Sequence, residues 1–462
     1  MTRIQFAARA GVAIVSAGLC LGGAPAAFGQ AVPDGSLRVG AARIDITPAP
    51  PEGNQVRDRL YASAIVIDNG AARAVLIGAD QISFGEPAWA DVTRRLTAEF
   101  QIPPEHVLTT ATHTHSDGRF GVAPPLGGPG RGTAPPAAPS AAGPPGGPVP
   151  PTTVLNDAAV EAVRRAIRKL QPARVGYGTG LSYFNVNRDA IHPETKRWYQ
   201  GPDLDGESDK TIAVMSFVAP DGKPLALFVN YAMHPINYYL RGLVSADFPG
   251  EASRYVESVY GDDVVVVWTQ GAEGDQNPLY LRAGSVLAAA RREGTPDGIA
   301  RAEAGLDRWI KAMGAVLGEE IIRVTNATTL RSDQARIWGR QEMVTCPGRT
   351  RLDTAREGVP GQYEDGPPVS VRVGMLAIGT TAIGSVNAEI YTGIGQRIKA
   401  KSPLAHTIVA ALANGSAGSG YIPTEEAFNR YTFQVLGSRL KPGCAEDAIV
   451  NAAAGLLAQA TR

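Results

Sequence analysis

Short apolar runs recur along this chain, separated by polar loops and by stretches with helical spacing. Residues 37–46 (LRVGAARIDI) alternate and stop at Thr47-Pro48, as a strand entering a proline-bearing loop does. The runs 61–68 and 73–78 flank Asn69-Gly70, a hairpin signal. Residues 89–100 have helical spacing, and Val107 begins a β-favouring run that ends in Thr112-His113-Thr114-His115. A helix is predicted over 154–170, with Leu155, Ala159, Val163, Ala166, Ile167 and Leu170 on one face. Strands follow at 173–183, 211–218 and 225–232, with a polar turn over 185–189, and the third strand delivers Met233-His234-Pro235.

Pro249 opens a helix through Tyr260. The near-continuous apolar run 264–268 has the pattern of a strand buried on both faces, and it runs into the Gly- and acid-containing loop 270–278. A long helix over 296–324 comes next, then strands at 330–339 and 369–386 bracketing a Pro/Gly-rich segment, 347–368. Glu389 stands at a strand-to-helix junction before a helix over 390–400; strand 407–413 leads to the loop NGSAGSGY, which carries Tyr421, and a helix over 446–461 closes the chain. No solenoid or propeller period is present. The pattern predicts an α/β protein with layered mixed β-sheets, surrounding helices and its chemistry, including any metal site, at strand ends.

Composition changes that picture in two places. Residues 121–151 are almost wholly Gly, Pro and Ala, so they bury too little side-chain area to order themselves and read as a flexible insertion. Residues 1–29 read as an export signal: Arg3 and Arg9 precede the apolar run 12–21, and Ala27-Phe28-Gly29 supplies small residues for cleavage. The expected product is an exported, periplasmic or secreted, single domain over 30–462 with no transmembrane segment after signal removal. Lys plus Arg and Asp plus Glu are balanced at 44 each, which removes the field needed to hold a nucleic acid. Cys346 and Cys444 are the thiols left beyond the signal, a pair suited to a disulfide in an oxidising compartment, although spacing alone does not bring them together. Neither sits in a C-x-x-C cluster, and nothing in the sequence sets an oligomeric state.

The candidate chemistry begins at the H-x-H pair. Residues two apart on a strand share a face, so His113 and His115, two of six histidines, are expected to point together, in a manner suited to metal binding or proton transfer. A polar strand end whose imidazoles only bond to neighbours has the same sequence. His234, Glu389 and Tyr421 taken singly read equally well as a structural histidine, a helix N-terminal charge and a half-buried aromatic.

The series TATHTHS at 110–116, AMHP at 232–235, GAEGDQNP at 271–278, NAEIYTGIGQRI at 387–398 and GYIPTEEAF at 420–428 resembles the catalytic domain of the neutral, or non-lysosomal, ceramidases. RIDITP at 43–48 and NVNRDA at 185–190 fit the same order. The resemblance implies a zinc amidase whose Zn2+ ligands are His113, His234, Glu389 and Tyr421, with His115 turned to the substrate oxygen or the reacting proton. Arg188 matches the arginine of the family's N-R loop. Asp247 and Asp275 are candidates to support metal-bound imidazoles.

Two departures bear on the substrate. The family's serine motif G-D-x-S-P-N is replaced by Gly274-Asp275-Gln276-Asn277-Pro278-Leu279, so Asn277 can bind or orient a substrate but supplies no hydroxyl nucleophile. Too few residues follow Tyr421 for the C-terminal immunoglobulin-like domain of longer ceramidases. The expected activity is hydrolysis of an amide by metal-activated water, on a small-molecule or lipid-like amide or ester. A zinc hydrolase of a non-ceramide ester or small amide, and a non-catalytic metal-containing binding protein, are the alternatives.

Overall fold

In the computed structural model, residues 36–49, 55–118, 151–239, 243–354 and 357–461 are described. The expected export signal and nearly all of the expected insertion lie outside them. Three sheets of four or five strands dominate. The first has the order Val107–Ala111, Arg73–Ala79, Tyr61–Asp68, Arg38–Asp45, Gln171–Pro172; the second, Val265–Gln270, Pro224–Tyr231, Thr211–Val218, Arg174–Leu181, Arg331–Ser332. The third runs Ile337–Arg351, Tyr363–Ile378, Thr381–Val386, His406–Ala410. Each mixes antiparallel pairs with one parallel pair: Arg73–Ala79 with Val107–Ala111, Pro224–Tyr231 with Val265–Gln270, and Thr381–Val386 with His406–Ala410. The layered mixed α/β architecture expected from the sequence is therefore present.

The period-2 side-chain alternation of a strand explains how the layers assemble. In Tyr61–Asp68, Ile65 and Ile67 enter a core that all three sheets share, while Ala62, Ala64 and Val66 face the helices Glu86–Phe100 and Pro151–Arg168. In Thr211–Val218, Ala213, Met215 and Phe217 join the shared core, while Ile212 and Val214 pack on the helices Asp247–Tyr260 and Pro296–Ala327. Ile408 and Ala410 do the same for the third sheet, whose other face meets Thr392–Ala400 and Ala445–Ala460. The central strands of these sheets are thus covered on both faces, which is why they read as nearly continuous apolar runs. Close packing needs a small residue where helix Pro151–Arg168 crosses the first sheet: a Cβ on Gly40 would fall 2.1 Å from the Ala166 carbonyl oxygen.

Several local expectations change. The polar segment 185–189 is no turn: Asn185–Ile191 is a strand between Gln276–Pro278 and Trp198–Asp203, its polar side chains paid for by partners described below. The Pro/Gly-rich segment 347–368 is strand at both its ends, because Ile337–Arg351 and Tyr363–Ile378 form one long hairpin with a register shift between Cys346 and Gly348 that absorbs Pro347. The run 369–386 is two strands, broken at Gly379 with φ 61°. Helix Arg282–Glu293 went unpredicted. Cys346 and Cys444 do pair, with Cα atoms 5.8 Å apart, tying this hairpin to the start of the last helix. Among the described residues no helix is long and apolar enough to cross a membrane.

Candidate metal centre

The parallel strand pairs of the three large sheets end on the same polar region, and that convergence is built by side chains at their carboxyl ends. Gln270 Nε2 donates to the Thr112 carbonyl at 2.6 Å, and Asn230 Nδ2 donates to the Val409 carbonyl at 3.1 Å. The Thr109 amide donates to Asn414 Oδ1 at 2.9 Å, and the Asn414 amide to the Thr109 carbonyl at 2.8 Å. These bonds register the sheets against one another at the point where His113, His234, Glu273, Glu389 and Tyr421 leave them.

His113 and His115 come together, but not as strand neighbours. The strand stops at Ala111, and His113 takes the left-handed φ of 63°, so the loop rather than the β pleat aims both rings. His113 Nε2 lies 3.2 Å from His115 Nε2 and 3.5 Å from Glu389 Oε2; His234 Nε2 lies 3.2 Å from the same Glu389 oxygen. Glu389 and Tyr421 are brought side by side as directly paired residues of a two-residue parallel bridge, Glu389–Ile390 with Tyr421–Ile422. Tyr421 interacts electrostatically with Arg188 and Glu389, and its ring is 6.3 Å from that of His234. The structure thus brings His113, His115, His234, Glu389, Tyr421 and Arg188 to one place.

The other ring nitrogens fix the tautomers. His113 Nδ1 donates to the Ile82 carbonyl at 2.6 Å, and His234 Nδ1 donates to the Gln276 carbonyl at 3.0 Å. A carbonyl only accepts, so Nδ1 of each ring carries a proton, and a ring with that one proton turns an Nε2 lone pair toward Glu389. Lone pairs facing one another and a carboxylate in a buried pocket are mutually repulsive without a cation among them. The donor set, two imidazoles and a carboxylate with a phenol alongside, fits a divalent ion such as zinc.

Electrostatics follow from burial and neighbours. Burial pushes the His234 pKa down to about 3, and burial with the adjacent imidazoles holds His115 well below the ordinary histidine range. Burial also works against the Arg188 cation, and Tyr421 and Glu389 more than offset it. Arg188 donates to the Gly274 carbonyl at 2.6 Å through Nη2 and to Asn277 Oδ1 at 3.2 Å through Nη1, with its guanidinium 5.0 Å from the Tyr421 ring centre.

Asp247 and Asp275 do not touch the imidazoles, whose support comes from backbone carbonyls. Asp247 accepts from the Asn237, Tyr238 and Phe248 amides and from Asn237 Nδ2, fixing the turn after His234. Asp275 accepts from Asn187 Nδ2 and from the Thr392 amide and hydroxyl, fixing the loop beside Glu389. One residue escaped the sequence reading. Glu273 is fully buried, and a carboxylate oxygen of it lies within 4.8 Å of ligand atoms of both His113 and Glu389. Its signal was an acidic residue between Gly271 and Gly274, directly after a strand buried on both faces.

No protein-family model and no curated protein matches the sequence. Among solved structures, neutral ceramidase from Pseudomonas aeruginosa superposes with a TM-score of 0.68 at 18% identity, over 92% of this chain and 75% of that one. A ceramidase complexed with C2 gives 0.68 at 17% identity, over 92% and 76%. The fold is that of neutral ceramidase.

Proposed function

We propose that this neutral-ceramidase-like fold carries an exported zinc-dependent hydrolase that cleaves an amide by water attack. The observation that carries the reading is the meeting of His113 Nε2, His234 Nε2 and Glu389 Oε2, each imidazole locked by a backbone carbonyl on its far nitrogen. Tyr421 completes the ligand set beside Glu389. When bound, zinc supplies a Lewis acid that polarises a carbonyl and acidifies water. The side chains do the remainder. His115, held neutral by its depressed pKa and partly open to solvent, accepts a proton from the attacking water and returns it to the leaving amine. Arg188 holds Tyr421 and Asn277 in place and keeps a permanent positive charge beside the developing oxyanion. Asn277, without a hydroxyl, orients the substrate while water is the nucleophile.

Half-exposed aromatics support a substrate with an apolar part. The Tyr239 ring lies 5.1 Å from that of His115, and Phe433 lies 6.0 Å from Tyr421. The ceramidases that share the fold make a lipid amide the leading substrate class. The Cys346–Cys444 disulfide supports export into an oxidising compartment. Metal analysis of the purified protein, joined to a release assay with ceramide, short acyl amides and esters, tests the whole reading. Zinc near one equivalent, with both zinc and turnover lost in His113→Ala and His234→Ala, is the expected result. Zinc retained in both variants refutes the ligand assignment; zinc with no hydrolysis of any substrate favours a binding protein.

A further inference from the structure

Glu273 sits in the metal centre with nothing else to hold it. It is fully buried, and neither carboxylate oxygen has a hydrogen-bond partner in another described residue. Buried carboxylates are ordinarily paired or metal-bound, because burial strips away the water that stabilises their charge. Asp275, two residues on, shows the ordinary case with bonds from Asn187 and Thr392. Glu273 instead faces a second carboxylate, Glu389, and the His113 ring, with donor atoms of all three within 4.8 Å of one another.

The backbone gives this side chain little freedom to leave. The Gly274 amide donates to the Ile390 carbonyl at 2.9 Å, and a Cβ at Gly274 would meet that oxygen at 2.8 Å, so the loop lies flat on the strand that carries Glu389. Gly271 packs as closely on Ala232, beside the His234 turn, with a Cβ there 2.9 Å from the Ala232 methyl. Two carboxylates in so dry a pocket repel when both are ionised, and a divalent cation between them removes that repulsion and leaves the core neutral.

We propose that Glu273 is a further carboxylate ligand of the divalent metal in this centre, so that Glu273 and Glu389 together neutralise the ion. The inference rests on the metal-centre reading above, and the test separates the two. Zinc titration of the metal-stripped full chain by calorimetry, with thermal melts in chelator and in excess zinc, is run on the parent, Glu273→Gln, Glu273→Ala and His234→Ala. Both Glu273 variants are expected to fold, to melt higher than the parent in chelator, and to bind zinc at least about 10-fold more weakly, with a smaller zinc-induced rise in Tm. If both bind zinc with parental affinity while His234→Ala does not, the Glu273 assignment is overturned and the centre stands. If His234→Ala also binds like the parent, the metal centre itself is wrong.

Discussion

The candidate metal centre and the Asp247 anchor are both buried and polar, lie at either end of the turn that follows His234, and are satisfied in opposite ways. Asp247 is fully buried with four donors converging on it, three of them backbone amides. At the candidate centre, lone pairs converge on one another, and the one fully buried carboxylate there, Glu273, has no donor among the described residues. A complete donor set marks a group that holds the chain in place; a deficit of donors among good ligands marks a group that waits for something. The contrast separates structure from chemistry more sharply than residue type, since both regions are built from ordinary acids and their neighbours.

The largest effect that could break this contrast is at the centre. His234→Ala should lower turnover at least about 1,000-fold, equivalent to roughly 4 kcal/mol of barrier, with the circular dichroism spectrum unchanged. Collapse of the fold instead would make His234 structural and erase the distinction. Asp247→Ala should do the reverse and cost about 2–4 kcal/mol of stability in denaturant titration, because it strands three buried amides and puts alanine at a φ of 56°. Stability within about 0.5 kcal/mol of the parent would show that these bonds anchor nothing.

A smaller effect sharpens the same point through pH. Burial raises the Asp247 pKa from 3.8 to about 6, against its hydrogen bonds. Folded protein therefore keeps that proton up to about pH 6, whereas the unfolded chain releases it near 3.8, so folding takes up a proton in between and stability falls as pH rises across that window. Asp247→Asn should flatten that part of a Tm-against-pH curve, and an unchanged slope would assign the proton elsewhere. The smallest effect belongs to the surface. Arg164, paired with Glu99 and Glu161 on an exposed helix face, should cost less than about 0.5 kcal/mol when changed to alanine.

The sequence by itself determined the layers and the region of the chemistry. Periods of two and 3.6 set which side chains are buried, and they place His113, His234 and Glu389 directly beyond strands, because the signal is local in the chain. Local signals misled where partners were distant. The segment 185–189 looks like a turn because its residues are polar, yet it is a strand, since Asp209, Glu207, Gly274 and Asp275 supply its bonds from far along the chain. Tertiary structure alone decided that His113 and His115 meet through a left-handed loop residue rather than a pleat, and that backbone carbonyls rather than Asp247 or Asp275 orient the imidazoles. It alone set Glu273 in a pocket without donors. Whether a polar group is satisfied depends on neighbours tens or hundreds of residues away, and no pattern within the loop GAEGDQNP records which of its two acids finds them.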